Sequence, residues 1–409
     1  MTASSQTTST ELARTALYDW HVAHGGRMVD FGGWLMPMQY SSIIKEHQIT
    51  RTAAGLFDIS HMGRLHFSGT GVAEFLDSLL TRRVIDMHAG QICYSLICNQ
   101  QGGILDDVLI YCLDNSNGDD SEQQSIFRPK AQLSREQNPS LSFQMVVNAS
   151  NRKKIVDWLT HHLVSGELSA DSQIFDDVQF QDLTHESAMI AVQGPKAIAL
   201  LDPLLDCNLK AIRYYRGMPG QFSQWPCYIT RTGYTGEDGC ELIVANEDGP
   251  RTWETILERG NEMGISPIGL AARDTLRLEA AMPLYGHELS EQTNPIQAGL
   301  GFALNLKNRE FIGRDAIVNF QTENRQPMRI GLQLDGKRVP REGHVILQAG
   351  QPIGEVTSGT YSPTFERPIA MGYVKKVAGA PGTTLSIDIR GKHHPAVVIP
   401  LPFYTRGKP

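Results

Sequence analysis

The sequence predicts a multidomain α+β fold that ends in a small all-β unit, and three observations lead there. At 409 residues the chain is too long for one ordinary domain, so length suggests two or three. Up to about residue 320, strand-like and helix-like runs alternate. From Met328 the texture changes to short alternating runs between Gly and Pro turns. Arg329-Ile330-Gly331-Leu332-Gln333-Leu334, Ala370-Met371-Gly372-Tyr373-Val374 and Leu385-Ser386-Ile387-Asp388-Ile389 are examples. That pattern predicts a barrel or sandwich over 321–409.

The first block opens with a short strand at 63–67. Val72, Phe75, Leu76, Leu79 and Leu80 then recur at i, i+3, i+4, i+7 and i+8, which predicts an amphipathic helix over 72–83. A hairpin follows, and then a strand over 143–149. Ile155, Val156, Trp158, Leu159 and Leu163 mark the next helix. The polar stretch 114–141, rich in Asp, Ser, Gln and Asn, reads as an exposed insertion joining two strands. A second block begins near Ser187, with a strand at 188–192 and a helix at 195–201. Strands at 227–231 and 240–244 then flank a glycine-rich turn, and helices follow at 250–263 and 268–281.

Composition narrows the function. The chain is 41% hydrophobic and 20% charged, with a formal net charge of −7 and a pI near 6.0. No Lys/Arg run stands out, so nucleic-acid and membrane-surface roles lack electrostatic support. No stretch approaches the roughly 18 apolar residues of a membrane span. Residues 1–11 are Ser/Thr-rich without Lys or Arg, and they read as a disordered tail on a cytoplasmic protein. Six cysteines without a C-x-x-C pair are too sparse for a disulfide scaffold and predict reduced, mostly buried thiols.

The hairpin carries the sharpest chemical signal. Gly102-Gly103-Ile104-Leu105-Asp106-Asp107 puts two adjacent acids in an otherwise apolar strand, where an ionised carboxylate is costly to desolvate. Neighbouring strand residues point to opposite faces. The two aspartates are therefore expected not to share a site: one faces solvent or a loop, the other an interior surface. A hairpin symmetric about Gln100-Gln101 pairs Tyr94 directly with Asp107 on one face. Such a phenol–carboxylate pair could act in acid/base work, could orient a ligand, or could simply tie the hairpin.

Two further constellations stand out. In Arg231-Thr232-Gly233-Tyr234-Thr235-Gly236-Glu237-Asp238-Gly239-Cys240-Glu241, glycine at every third position permits close backbone approach and positive φ. The P-loop lysine and the dinucleotide spacing are both missing. Tyr234 could stack on a planar ligand and Glu241 could accept its N–H groups; a tight structural turn is the plainer alternative. Arg273 and Arg277 share a helix face at i, i+4. They suit a carboxylate ligand, or else salt bridges to Asp274 or Glu279. His61 reads as a satisfied core or turn histidine. Neither His161-His162 nor His393-His394 has a metal-ligand context, and no metal site is expected.

These segments together resemble the aminomethyltransferase (T protein) family of the glycine cleavage system. The matching pieces include Leu17-Tyr18-Asp19-Trp20-His21, His24-Gly25-Gly26-Arg27-Met28-Val29, Leu56-Phe57-Asp58-Ile59-Ser60-His61-Met62-Gly63 and the Gly-Gly-Ile-Leu-Asp-Asp hairpin. They continue with the Arg231–Gly239 segment, Ala272-Arg273-Asp274-Thr275-Leu276-Arg277-Leu278-Glu279 and Tyr285-Gly286-His287-Glu288-Leu289. Thr357-Ser358-Gly359 and Ser362-Pro363 complete them. The resemblance runs from about residue 12 to the end. It implies three domains in a ring: two interleaved α+β folate-binding domains with antiparallel sheets over 12–320, and the C-terminal barrel over 321–409.

The implied activity is transfer of a methylene from an aminomethyl group on lipoyl H protein to tetrahydrofolate, with ammonia released. Tetrahydrofolate is then a co-substrate, H protein a partner, and the enzyme a monomer or a member of a transient heterocomplex. By the same resemblance, Asp107 is the functional acid on the pterin side. Met62, Tyr94, Val146 and Asn148 match pterin-pocket positions, Tyr234 a stacking residue, Glu241 and Arg273 substrate-binding positions, and Arg406 a C-terminal arginine. Two other classes fit less well. Folate-binding relatives linked to iron–sulfur maturation carry a Lys-Gly-Cys-Tyr motif where this chain has Arg231-Thr232-Gly233-Tyr234. Demethylating domains of the sarcosine and dimethylglycine dehydrogenase group are usually fused to a flavoprotein, and no dinucleotide fingerprint occurs here.

Overall fold

The computed structural model describes residues 11–114, 141–165, 175–322 and 327–407. The predicted tail and most of the 114–141 insertion lie outside the described residues. The expectation of an antiparallel-rich α+β fold with a terminal barrel holds: the core is two large sheets and a closed six-stranded barrel.

The first large sheet is wholly antiparallel. Its order is Ile92–Cys98, Ile104–Asp114, Leu141–Val147, Gly63–Ser68, Gln179–Asp182. Alternation along these strands separates two apolar faces. Leu65, Phe67, Ile110, Cys112, Phe143 and Met145 face helices Val72–Leu79 and Arg152–Ser165 through Phe75, Leu76, Ile155 and Leu159. The predicted helix over 72–83 thus stops at Leu79, because Leu80 is already extended and bridges Ile97.

The second sheet runs Gly217–Phe222, Trp225–Thr230, Gly239–Ala245, Ser187–Gln193, Gly55–Asp58, Ser266–Pro267. The chain therefore enters this sheet early, through Gly55–Asp58, and crosses at once to the first sheet at Gly63–Ser68. The four crossing residues, Ile59 to Met62, lie between the two sheets. Arg64 holds that crossing in place. Its fully buried guanidinium donates to the carbonyls of Ser60 (3.1 Å), Met62 (2.6 Å), Ser187 (2.8 Å) and Thr184. Burying a guanidinium is tolerable only because so many acceptors meet it.

The inner faces of the two sheets meet in a shared apolar cluster. Tyr111, Leu113 and Val146 come from the first sheet, Phe57, Met189, Ala191, Tyr228 and Ile243 from the second, and Ala272 and Leu276 from helix Leu270–Glu279. Tyr111 stacks on Tyr228 with ring centroids 6.2 Å apart. Burying this aromatic and aliphatic surface ties the two sheets into one body.

The barrel runs Pro327–Leu334, Arg367–Lys375, Gln351–Ser362, Val345–Gln348, Thr384–Ile389, Lys392–Ile399. It docks on helix Leu270–Glu279 through buried polar bonds. Glu279 accepts from Ser362 (2.5 Å) and Thr364 (2.7 Å), and Arg277 donates to Ser358 (2.9 Å). All six cysteines are free thiols. No helix among the described residues is long and apolar enough to cross a membrane.

Candidate active site

The site is built on the hairpin, and there two sequence expectations need correction. The turn is not centred between Gln100 and Gln101. Asn99 pairs with Gly103 instead, and its side-chain Oδ1 accepts from the backbone of Gln101 and Gly103 at 3.0 and 2.9 Å. Gly102 takes φ +78°, which suits a three-residue turn closed by a left-handed residue. A bulge at Leu105 then moves the register again, so Leu96 faces Asp107 and Tyr94 faces Leu109. Tyr94 is therefore diagonal to Asp107 rather than opposite it. The two shifts together preserve the face, and the Tyr94 hydroxyl donates to Asp107 Oδ2 at 3.1 Å.

The second correction concerns the two aspartates. Their side chains do leave on opposite sides of the strand, but they are not separated. Asn148 follows the last residue of strand Leu141–Val147, where the sheet ends. From there its side-chain Nδ2 donates to Asp106 Oδ1 and to Asp107 Oδ1, each at 2.8 Å. Asp106 is 0% exposed, whereas Asp107 is half-buried and keeps part of its surface open to solvent. Burial pushes both carboxyls above the ordinary carboxylate range, and for Asp106 the neighbouring Asp107 charge adds to the effect.

Tyr94, Leu109 and Val146 form one cross-strand row on the inner face of the first sheet. Met62, half-buried in the crossing segment, packs into the cluster that contains Val146 and Leu109. These four residues make an apolar floor beside Asp107. Phe302 stacks on Tyr94 at 5.8 Å and is 65% exposed, which marks the solvent side.

The opposite wall comes from the second sheet. Glu241 lies in a row with Thr230 and Ala191 on the face turned toward the first sheet. It accepts from the Thr232 hydroxyl, and Thr232 is bonded in turn to Thr230 at 2.6 Å. Burial raises the Glu241 carboxyl. The glycine-rich turn has the predicted use for its glycines. A Cβ on Gly233 would lie 1.9 Å from Gln193 Oε1, one on Gly239 would lie 2.2 Å from the Val192 carbonyl, and Gly236 has φ +79°. The turn is thus pressed onto strand Ser187–Gln193, and it projects Tyr234 inward, where the hydroxyl donates to the Pro283 carbonyl.

The two helix arginines diverge in role. Arg277 is 2% exposed and bonds to Asp274 (2.8 Å) and Glu288 (2.7 Å), so it is a structural tie. Arg273 lies over the Tyr234 ring at 4.9 Å and forms no ion pair among the described residues. Its guanidinium also feels the charge of Glu241. Arg406 stands at the edge, 3.1 Å from Asp238 Oδ1 and 5.5 Å from the Tyr214 ring centroid. His61 corrects another expectation. It is buried at 1% exposure, but its Nδ1 has no hydrogen-bond partner, and burial together with Arg273 lowers its pKa to about 3.

Asp107, Tyr94, Asn148, Val146 and Met62 therefore come together on one side, and Tyr234, Glu241 and Arg273 on the other. Burial raises the Tyr234 phenol, and Asp107 is close enough for its charge to add to that rise. Sequence reasoning missed Asn151, which bonds to Asp106 at 2.5 Å. It also missed Arg329, a barrel-strand residue that donates to the Ala281 carbonyl at 3.2 Å and faces Tyr94. The motif Asn148-Ala149-Ser150-Asn151 at a strand-to-helix junction was a usable signal for the first. For the second, an alternating barrel strand offers none. No three His, Cys, Asp or Glu side chains gather to hold a metal ion among the described residues.

Comparison with known proteins shows the family to which the chain belongs. The family model for the GCVT N-terminal domain matches residues 17–117 and 138–308. The model for the glycine cleavage T-protein C-terminal barrel domain matches 328–405. An aminomethyltransferase of Streptomyces coelicolor is 42% identical over 98% of this chain and 100% of its own length. One from Geobacillus thermodenitrificans is 40% identical over 97% of this chain and 100% of its own. Among solved structures, the glycine cleavage system aminomethyltransferase T of Bartonella henselae superposes with a TM-score of 0.81. It is 31% identical over 96% of this chain and 98% of the other. The chain belongs to the aminomethyltransferase family, the T proteins of the glycine cleavage system.

Proposed function

We propose that the residues gathered around Asp107 on the first sheet and around Tyr234, Glu241 and Arg273 on the other side bind tetrahydrofolate, and that the enzyme moves onto it the methylene of an aminomethyl group carried by the lipoyl arm of H protein. The products are 5,10-methylenetetrahydrofolate, ammonia and dihydrolipoyl H protein. The balance is simple. Two folate N–C bonds form, and the C–S and C–N bonds of the donor break. The two protons lost from folate nitrogens leave on the lipoyl sulfur and the ammonia. The donor carbon is already activated by its sulfur and nitrogen, so the enzyme must position two reactants and handle protons.

The observation that carries this reading is Asp107, a half-buried carboxylate held by the Tyr94 hydroxyl and the Asn148 amide on an apolar floor. It suits a planar heterocycle whose N–H groups need acceptors. Glu241 is a second acceptor, and Tyr234 gives a ring to stack on. Arg273, without a carboxylate partner among the described residues, suits a carboxylate of the folate tail. Met62, Val146 and Asn148 shape the pterin side, and Arg406 serves the rim. The enzyme acts in the cytoplasm as a monomer or in a transient complex with H protein.

The test is ammonia and methylenetetrahydrofolate formation from aminomethylated H protein, wild type against Asp107→Asn. The expected result is a rate loss on the order of 10²- to 10⁴-fold with folate affinity mostly retained. Full activity in Asp107→Asn would overturn the assignment.

A further inference from the structure

Phe302 is 65% exposed, more than any other Phe, Tyr or Trp among the described residues. Its backbone is nevertheless tied down. It lies in the short turn Gly301–Ala303, where Arg82 donates to the Phe302 carbonyl at 2.7 Å and the Thr81 hydroxyl donates to the Ala303 carbonyl at 2.8 Å. Ala303 itself is fully buried. The ring is therefore held out to solvent by a fixed turn, and it forfeits the burial that a core would give it. The residue before it leaves it bare. A Cβ on Gly301 would meet nothing within 4 Å and its φ is not positive, so neither space nor backbone demands glycine there.

One face of the Phe302 ring lies on Tyr94, with centroids 5.8 Å apart, and the Tyr94 hydroxyl bonds to Asp107 at 3.1 Å. An aromatic surface thus leads from solvent to the carboxylate. We infer that Phe302 and Tyr94 seat the lipoyl-lysine arm of the donor protein. The arm's methylenes lie along Phe302, and its aminomethyl thioether reaches Tyr94 beside Asp107. This rests on the transfer reaction proposed above and gives its second reactant a place.

Three observations commit the seat to that occupant. Two reactants that meet at one carboxylate need separate approaches. The arginines suited to the folate carboxylates stand on the second-sheet side, with Arg273 over the Tyr234 ring at 4.9 Å and Arg406 3.1 Å from Asp238. Phe302 packs on the hairpin of the first sheet, which leaves that side for the arm. The second observation is chemical match. A lipoyl-lysine arm is an uncharged run of methylenes ending in sulfur. An aromatic shelf gains from covering the methylenes and from sulfur–ring contact, and it needs no polar partner. The third is charge. Arg83 is paired with Asp86 at 2.6 Å, but Arg82, at the foot of Phe302, forms no ion pair among the described residues. In a chain of net charge −7, that guanidinium offers a cation to a carboxylate on the docked protein beside its arm.

The experiment compares wild type with Phe302→Ala and Phe302→Tyr in the full chain. The KM for aminomethylated H protein and the KM for tetrahydrofolate are measured separately. Phe302→Ala should raise the H-protein KM about 10-fold or more and leave the folate KM unchanged. Phe302→Tyr, which keeps the ring, should restore most of the loss. A raised folate KM with the H-protein KM unmoved would assign the ring to folate and overturn the proposal, as would no change in either. A second measurement needs no turnover. With phenylalanine ring carbons labelled, the Phe302 NMR signal is identified by its absence from Phe302→Ala. It should move on addition of lipoylated H protein and stay in place with unlipoylated H protein. An equal response to both forms would mark a contact with the protein body and overturn the arm seat. A response to the lipoylated form alone, in an enzyme that forms no methylenetetrahydrofolate, would count against the transfer reaction and support the seat.

Discussion

The Tyr94 hydroxyl reaches Asp107 Oδ2 at 3.1 Å across a diagonal of the hairpin, and the bulge at Leu105 makes that diagonal the working register. Among the described residues, the Asp107 carboxyl accepts side-chain hydrogen bonds from Tyr94 and Asn148. Tyr94→Phe keeps the ring against Phe302 and removes one of them. A hydrogen bond to a charged group is worth about 1.5–3 kcal/mol, so kcat/KM for methylene transfer should fall roughly 10- to 100-fold. Melting temperature should hardly change. A loss of stability without a loss of rate would return the pair to a purely structural role.

Arg273 and Arg277 stand one helical turn apart and should respond oppositely. Arg277 is a buried partner of Glu288, and breaking such a pair costs about 3–5 kcal/mol. Arg277→Gln should therefore lower thermal stability strongly. Arg273→Gln removes a guanidinium without an ion-pair partner among the described residues, so stability should hold or rise while folate binding weakens. Denaturant unfolding and folate titration of both variants separate the two roles.

The barrel's docking should fail in acid. Burial pushes the Glu279 carboxyl up, but the His47 hydrogen bond and the Arg51 charge prevail and hold it down to about 2, against an ordinary value of 4.5. A lowered folded-state value means the stabilisation is complete above about pH 4.5 and is lost as pH falls toward 2. Glu279 accepts from Ser362 and Thr364 of the barrel, so melting temperature should fall through that window in the wild type. In Glu279→Gln that part of the acid dependence should be missing.

Gly103 is a steric requirement of the hairpin tip. A Cβ there would lie 1.7 Å from the Glu291 carbonyl oxygen, which is backbone and cannot swing away. Gly103→Ala should destabilise by about 2–4 kcal/mol. Because the tip positions Asp106 and Asp107, activity should fall even in the folded fraction. Unfolding curves and specific activity of the surviving protein check both parts.

Local patterning determined much of this protein. Period-2 and period-3.6 apolar repeats placed helix Val72–Leu79, the paired strands of the first sheet and the change to an all-β barrel after residue 320, because burying one face imposes those periods on the sequence. Glycine spacing announced the turn at Gly233, Gly236 and Gly239. The expected pairing with Tyr94 and the family motifs both singled out Asp107, although the structure makes that pairing diagonal. Tertiary structure decided what depends on where chain segments end and meet. A bulge is one residue with no periodic signature, so the Tyr94 register could not be read from symmetry. Asn148 reaches both aspartates only because its strand stops there. Arg273 and Arg277 look alike in sequence, and they part only when Glu288 arrives beside one and Tyr234 beside the other. Strand and helix periods are set by neighbours a few residues away. The protonation and partners of a buried charge are set by groups brought from far along the chain, and those appear only once the sheets and barrel have closed around it.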